Sequence, residues 1–73
     1  MKKYFPYELT SGDSIDYQGE RFIVISVRFS PHSGQWEAIV TNRLMGGARS
    51  IWLDATEQLV DEHYDEVTKG MPA

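Results

Sequence analysis

The chain contains no cysteine. Disulfide bonds, thiolate metal sites and thiol nucleophiles are therefore excluded together, and the absence is compatible with a reducing compartment. The lack of disulfides matters for stability in a chain of 73 residues, because a domain of this size buries only about 60% of the surface that its unfolded form exposes. We expect one small domain, residues 1–73, held by a compact apolar core.

Long apolar runs are also missing. No run approaches the ~18 residues that would span a bilayer. The opening residues, MKKYFPYELT, lack the apolar segment of a signal peptide. We therefore expect a soluble, cytoplasmic chain.

The sequence lacks a catalytic signature. It has no G-x-S-x-G elbow, no phosphate-binding loop and no paired-histidine metal motif. His32 lies in a turn and is best interpreted as a solvated histidine, and His63, among acidic residues, as a packed side chain rather than a cation ligand. We expect no enzyme activity, no catalytic residue, no cofactor and no metal site.

Basic residues are too few for a dedicated nucleic-acid binder, since the formal net charge is −4. The average conceals a division. Residues 1–50 carry six Lys and Arg against five Asp and Glu, whereas residues 51–73 carry one against six. The acidic charge is concentrated in the tail.

What the chain does contain is alternation typical of β-strands. In ERFIVISVRFS, residues 20–30, every second residue from Ile23 is apolar and β-branched residues are frequent. Gln18-Gly19 before it predicts a two-residue hairpin turn that sets Asp16 opposite Arg21.

Two further turns follow in the sequence. SPHSGQ, residues 30–35, reverses the chain and sets Phe29 opposite Trp36, which implies the pairs Val27–Ala38, Arg28–Glu37, Ile25–Val40 and Val24–Thr41. Gly46-Gly47, as a tight turn, implies Arg43–Ser50, Asn42–Ile51, Thr41–Trp52 and Val40–Leu53. Both registers predict one buried face made of Ile23, Ile25, Val27, Phe29, Trp36, Ala38, Val40, Ile51 and Leu53.

The opposite face then holds Trp52, and it is too apolar to be left fully exposed. The residues predicted near Trp52 are Thr41, Phe22, Val24, Ile39, Ile15 and Tyr17. Two devices can cover this face. The sheet can curl, with Phe22 and Val24 on one side of a bend and Ile25 to Phe29 on the other. Alternatively, the tail forms a helix that begins at Asp54 and stops near Lys69 and Gly70, or a helical turn at 54–59 followed by a closing strand.

This pattern resembles the SH3-like small barrels of the Tudor or KOW kind. The resemblance covers roughly residues 10–60 and is carried by GDSIDYQGERFIVISV, by the meander from Trp36 to Leu53, and by DATEQL, which is similar to the helical turn before their last strand. It implies a mainly β fold: a small antiparallel SH3-like barrel, or a strongly curved meander of four to five strands, with a short helix or helical turn near the C-terminus. Such barrels are mostly non-catalytic binding modules.

The residues themselves predict an interaction module that binds a protein partner, of the kind found among bacterial or phage accessory proteins. Aromatic and arginine side chains dominate interface energetics, so the predicted partner-binding residues are Trp52, Arg43, Arg49, Arg28 and Tyr17. The alternative is a nucleic-acid surface formed by Arg28, Arg43 and Arg49. A homodimer is a further possibility, because a small sheet with open edges can pair with itself.

Overall fold

Six antiparallel strands form one sheet in the computed structural model, which describes residues 1–44, 46–62 and 64. Within the described chain the sheet does not close into a barrel, because its two edge strands do not pair with each other. The prediction of a mainly β domain is confirmed. The elements are β1 (Lys2–Tyr4), a 3₁₀ turn (Pro6–Glu8), β2 (Ser14–Tyr17), β3 (Glu20–Ser30), β4 (Gln35–Thr41), β5 (Ala48–Leu53) and β6 (Leu59–Asp61), with the strand order β1-β6-β2-β3-β4-β5.

The first hairpin forms as predicted. Gln18 and Gly19 connect β2 to β3 with φ angles of 50° and 81°, the left-handed backbone that twisted two-residue turns require. The register places Asp16 opposite Arg21. Local turn chemistry therefore sets the pairing of these two strands.

The second hairpin is correct at its outer end and wrong at its base. Phe29 lies opposite Trp36, and the pairs Val27–Ala38 and Arg28–Glu37 also form. The register then shifts between residues 24 and 26. The predicted pairs Ile25–Val40 and Val24–Thr41 are replaced by Val24–Val40 and Ile23–Thr41, so that Ile25 is the extra residue of a β-bulge.

The bulge reverses the faces of the first half of β3. Phe22 and Val24 are each only 1% exposed, whereas Ile23 is 48% and Ile25 is 43% exposed. The prediction that Ile23 and Ile25 belong to the buried face is therefore wrong. An extra residue in one strand changes the parity of every residue before it. The bend lies where the curled-sheet alternative placed it.

The third connection is longer than predicted. Thr41 pairs with Ala48 and Trp36 with Leu53, so the register differs by four residues from the predicted Arg43–Ser50, Asn42–Ile51, Thr41–Trp52 and Val40–Leu53. The Asn42 side chain accepts a hydrogen bond from the Leu44 amide at 3.0 Å and Thr41 Oγ1 donates to the Gly47 carbonyl at 2.8 Å. These bonds begin the loop at residue 42. Because the register differs by an even number of residues, the residues of β4 and β5 still lie on the faces predicted for them.

The C-terminal part forms a turn and then a strand. The Glu57 amide donates to the Asp54 carbonyl at 3.0 Å, and β6 then lies between β1 and β2. Of the open alternatives, the turn followed by a strand is the observed one. The predicted helix stop at Lys69 and Gly70, and the interpretation of His63, fall outside the described residues.

The core lies on one side of the sheet, which we call the core face. Sequence patterning missed the contribution of the N-terminal residues, which come from β1, the 3₁₀ turn and the segment after it. The core residues are Tyr4, Leu9, Ile15, Phe22, Val24, Ala38, Val40, Ile51, Leu53 and Leu59, with Pro6 also buried and Tyr17, Val27 and Trp36 packed against them.

The part of the chain that the structure describes contains no helix long and apolar enough to cross a membrane.

Candidate functional site

The side of the sheet away from the core, which we call the outer face, carries a row of three side chains across three strands. Arg28 on β3, Glu37 on β4 and Trp52 on β5 are directly opposite one another. Trp52 is 46% exposed. A side chain with few rotatable bonds, held on the strand of a packed sheet, presents its apolar area at a low entropic cost.

Glu37 is the centre of this row and is only 7% exposed. Its Oε1 accepts a hydrogen bond from Arg28 Nε at 2.6 Å, and its Oε2 accepts one from Ser50 Oγ at 2.8 Å. The hydrogen bonds from Ser50 and then Arg28 hold the pKa of the Glu37 carboxyl below its ordinary value, against the opposing effect of burial. Both carboxylate oxygens are satisfied, so the row is charge-neutral.

An open groove lies at the other end of the outer face, beyond Ile23. Its volume is about 500 Å³, within the range of natural binding clefts. Arg21 and Ile23 line one side, and Asn42, Arg43 and Leu44 line the other. Leu44 is 94% exposed. The groove therefore combines apolar side chains with an exposed arginine.

The structure gathers only some of the predicted site residues. Trp52 and Arg28 share the row on the outer face, and Arg43 lines the groove. Arg49 lies opposite Val40 instead, and its guanidinium carbon is 5.1 Å from the centre of the Phe22 ring. Tyr17 packs against the core cluster. The predicted set is therefore divided between two faces.

Three of the apolar residues predicted beside Trp52 are in the core instead. Ile15, Phe22 and Val24 are each at most 1% exposed. The reason is the same bulge, because it carries the first half of β3 and its partner β2 to the opposite face. Ile39 is correctly placed on the outer face, diagonally from Trp52.

Two of the four arginines form ion pairs across the strands. Arg21 Nη1 lies 3.1 Å from Asp61 Oδ1 and 3.6 Å from Asp16 Oδ2. The same nitrogen has no well-aligned hydrogen bond, so these carboxylates act on it mainly through charge. Arg28 pairs with Glu37, so the charges of Arg21 and Arg28 are both compensated.

Three aromatic residues belong to the core or pack against it. Tyr4 is buried, and burial, followed by the charges of Asp13 and Asp61 and the nearby Tyr64, raises the pKa of its hydroxyl. Trp36 contacts Phe29 edge to face, with ring centres 5.4 Å apart. Tyr17 contributes to the core. Among the described residues, no group of three or more His, Asp or Glu side chains is placed to hold a metal ion.

Ser50 belongs to the polar network of the outer face but is not among the residues predicted from the sequence. Its hydroxyl donates to Glu37 Oε2. The predicted register set Ser50 opposite Arg43, four residues away from its observed partner Ile39, and so did not bring it close to Glu37. The signal that could have found it is Asn42, since asparagine commonly begins a turn by accepting a bond from the amide two residues on. Starting the loop there brings Ser50 beside Ile39.

No family model, no curated protein and no solved structure matches the chain.

Proposed function

We propose that the chain is a non-catalytic interaction module that binds a protein partner through the outer face around Trp52. The observation that carries the proposal is the exposure of Trp52, 46%, on a strand whose neighbouring side chains are fixed by hydrogen bonds. Ile23 and Ile25 extend the exposed apolar surface. Large aromatic side chains on rigid elements are the usual anchors of protein interfaces.

The charge-neutral row favours a protein surface over a nucleic acid. Arg28 is paired to a buried carboxylate, so its charge is compensated before any ligand binds. Arg49 is on the core face, away from Trp52. A single-stranded nucleic-acid platform needs uncompensated cations interleaved with stacking rings, and this face does not assemble them.

The overall charge favours a partner with a basic rim. The net charge is −4 and six of the acidic residues lie in residues 51–73. Asp54, exposed at the end of β5, is two residues beyond Trp52. We therefore assign the partner as a polypeptide segment with an apolar anchor for Trp52 and lysine or arginine beside it, because an acidic surface steers cationic partners and accelerates their association.

The test is a selection of random peptides that bind the immobilised chain. We expect enriched sequences to combine an apolar or aromatic residue with Lys or Arg, and to lose at least tenfold in affinity for the Trp52→Ala variant. Tyr7→Ala is the matched control, since Tyr7 is an aromatic residue that is 62% exposed and lies on the 3₁₀ turn, outside the outer face of the sheet. Peptides that bind wild type and Trp52→Ala equally well would overturn the proposal.

Two further measurements keep the result interpretable. Thermal melting of Trp52→Ala separates loss of binding from loss of folding; we expect a small shift, because about half of the indole is exposed. Titration with single-stranded DNA and RNA at low ionic strength tests the alternative partner, since counterion release makes such affinity largest there. Binding to either that weakens in Arg43→Ala would replace the protein partner with a nucleic acid.

A further inference from the structure

The two edges of the sheet differ in how well they are protected. β1 is three residues long and begins with Lys2 and Lys3, and lysines on a short edge strand discourage pairing with another chain. β5 is six residues long, contains neither lysine nor proline, and has no bulge in its pairing with β4. Within the described chain no strand pairs with its other side. Among the residues that the structure describes, the β5 edge is therefore open.

We propose that a second copy of this chain pairs along β5, antiparallel, to give one continuous twelve-stranded sheet. An open edge presents unpaired amide and carbonyl groups, and the group that satisfies a row of them is another extended strand. This inference concerns self-association and does not depend on the proposed partner. It rests on the unpaired main chain of β5, and the indole of Trp52 enters only in the choice of register.

The side-chain pattern of β5 suits a two-fold pairing. In an antiparallel pair related by a two-fold axis normal to the sheet, opposite residues lie on the same face. Trp52 therefore faces an even-numbered residue of the other copy. The two registers with the longest overlap place Trp52 opposite Ser50 or opposite Ala48. Each indole then meets a small side chain, and the two copies of Arg49 face Leu53 or Ile51 rather than each other.

Shifting the strand further loses this fit. A register that sets Trp52 opposite Trp52, or Arg49 opposite Arg49, leaves only three pairs within β5. Like charges directly opposite one another are destabilising. Size and charge thus select the same two central registers.

The experiment is sedimentation equilibrium over a range of concentrations, with one substitution placed at two positions. Ser50 and Ser26 flank Ile39 on the same row of the outer face, but Ser50 lies on the edge strand and Ser26 lies on β3, inside the sheet. We expect wild type to dimerise, Ser50→Lys to weaken the dimer at least tenfold, and Ser26→Lys to leave it within twofold. Equal weakening by both variants would indicate stacking of outer faces and would overturn the proposal, as would a monomer up to millimolar concentration.

Spin labels provide a second measurement that does not depend on how the lysine variants fold. Because the chain has no cysteine, one cysteine can be introduced at Ala48 or at Ile23, which lie on one row through Thr41. In the edge-paired dimer the two copies of position 23 are five strand spacings apart across the sheet, about 24 Å at ~4.8 Å each, whereas the two copies of position 48 are one spacing apart. Both pairs of labels are also offset along the strands, by about four or six residues in the two registers, which reduces the difference between the two distances. We therefore expect the distance between labels to be shorter for position 48 by roughly 10 Å. A shorter distance for position 23 would contradict edge pairing.

The dependence on salt gives a third, independent check. Two copies together carry a net charge of −8, twice the −4 of one chain, so their repulsion weakens as salt screens it. We expect dimerisation to strengthen from 20 mM to 500 mM NaCl. Weakening over the same range would point to an interface held by opposite charges, and not to the main-chain pairing proposed here.

Discussion

The two halves of β3 and β4, on either side of the bulge, are built differently. At the base, Phe22, Val24 and Val40 are at most 1% exposed. In the distal half, Phe29 is 49% exposed and makes its edge-to-face contact with Trp36. The strands, the pairing and the β-propensity are similar in both halves.

What differs is the cover. At the base, β3 pairs with β2, with β6 and β1 beyond it, whereas among the described residues the distal half of β3 has β4 as its one partner. The distal half still reaches the core through Ala38 and Leu53, but its tip at Phe29 is left half exposed. Apolar surface contributes to stability in proportion to the area removed from water. The distal half also carries a polar network, in which the Glu37 carboxylate joins Arg28 to Ser50. A regular hairpin therefore buries its apolar side chains only where other segments of the chain reach them.

The largest effect is expected from changing the boundary itself. Deleting Ile25 removes the bulge but leaves Val24 opposite Val40 and keeps both faces, so we expect a folded chain destabilised by about 1–2 kcal/mol. Deleting Ile39, on the facing strand, should abolish folding because it turns Glu37 toward the core. Circular dichroism and urea denaturation distinguish the two. If the Ile25 deletion unfolds and the Ile39 deletion does not, the assignment of the extra residue to β3 is wrong.

The same substitution in each half measures the difference in cover. Phe22→Ala should cost about 3–5 kcal/mol, because it leaves a cavity in the core. Phe29→Ala should cost about 1 kcal/mol, close to the value of an aromatic pair. Urea denaturation of both variants gives the two numbers. Similar losses at the two positions would mean that Phe29 is covered in solution by a group other than those described here.

The polar network should make the distal half sensitive to acid. The folded-state pKa of Glu37 is lowered, so its contribution to stability is complete above the unfolded-state pKa, near 4.5, and is lost as the pH falls through the folded value. We expect Glu37→Gln to be less stable than wild type at pH 7 and to lose less stability between pH 5 and pH 2.5. Urea midpoints across this range measure it.

Glu20→Gln is the matched control for that experiment. Glu20 is exposed at the start of β3, in the half built on the apolar core. We expect its urea midpoint to follow wild type across the whole pH range. A response as large as that of Glu37→Gln would show that the acid sensitivity does not come from the network.

The smallest difference should come from the turns, one at each end of β3. Gly19 and Gly34 have φ angles of 81° and 70°, and a Cβ added to either meets no atom within 4 Å. Replacement by alanine should therefore cost about 1 kcal/mol at both positions, from the left-handed backbone alone. Urea denaturation tests the equality. A much larger loss at one turn would show that strain is coupled to packing there.

Sequence patterning succeeded where a local signal was enough. The turns at Gln18-Gly19 and after Ser30 predict two hairpins that the structure contains. The predicted pairs Asp16–Arg21 and Arg28–Glu37 both form. The predicted face of Trp52 is correct although its predicted partner, Thr41, is not, because the register error is an even number of residues. Of the predicted site residues, Trp52 and Arg28 lie in one row, Arg43 lines the groove, and Arg49 and Tyr17 lie elsewhere.

The error in the faces of β3 has one physical cause. Residues 22–25 are all apolar, so alternation there fits two phases, one that buries Phe22 and Val24 and one that buries Ile23 and Ile25. Nothing local decides between them. The buried face is the one that the N-terminal segment and β6 can cover. The bulge at Ile25 then places Val27 and Phe29 on the same face of the sheet as Phe22.

Residue types and their spacing predict the class of fold, the first two reversals and the acidic balance, because turn chemistry, strand periodicity and charge are properties of neighbouring residues. Which face of β3 is buried and which strands form the edges of the described sheet follow from tertiary packing instead. Those outcomes depend on contacts between distant segments, above all between β6 and both β1 and β2. The free energy of such contacts comes from area removed from water, which no local window of residues contains.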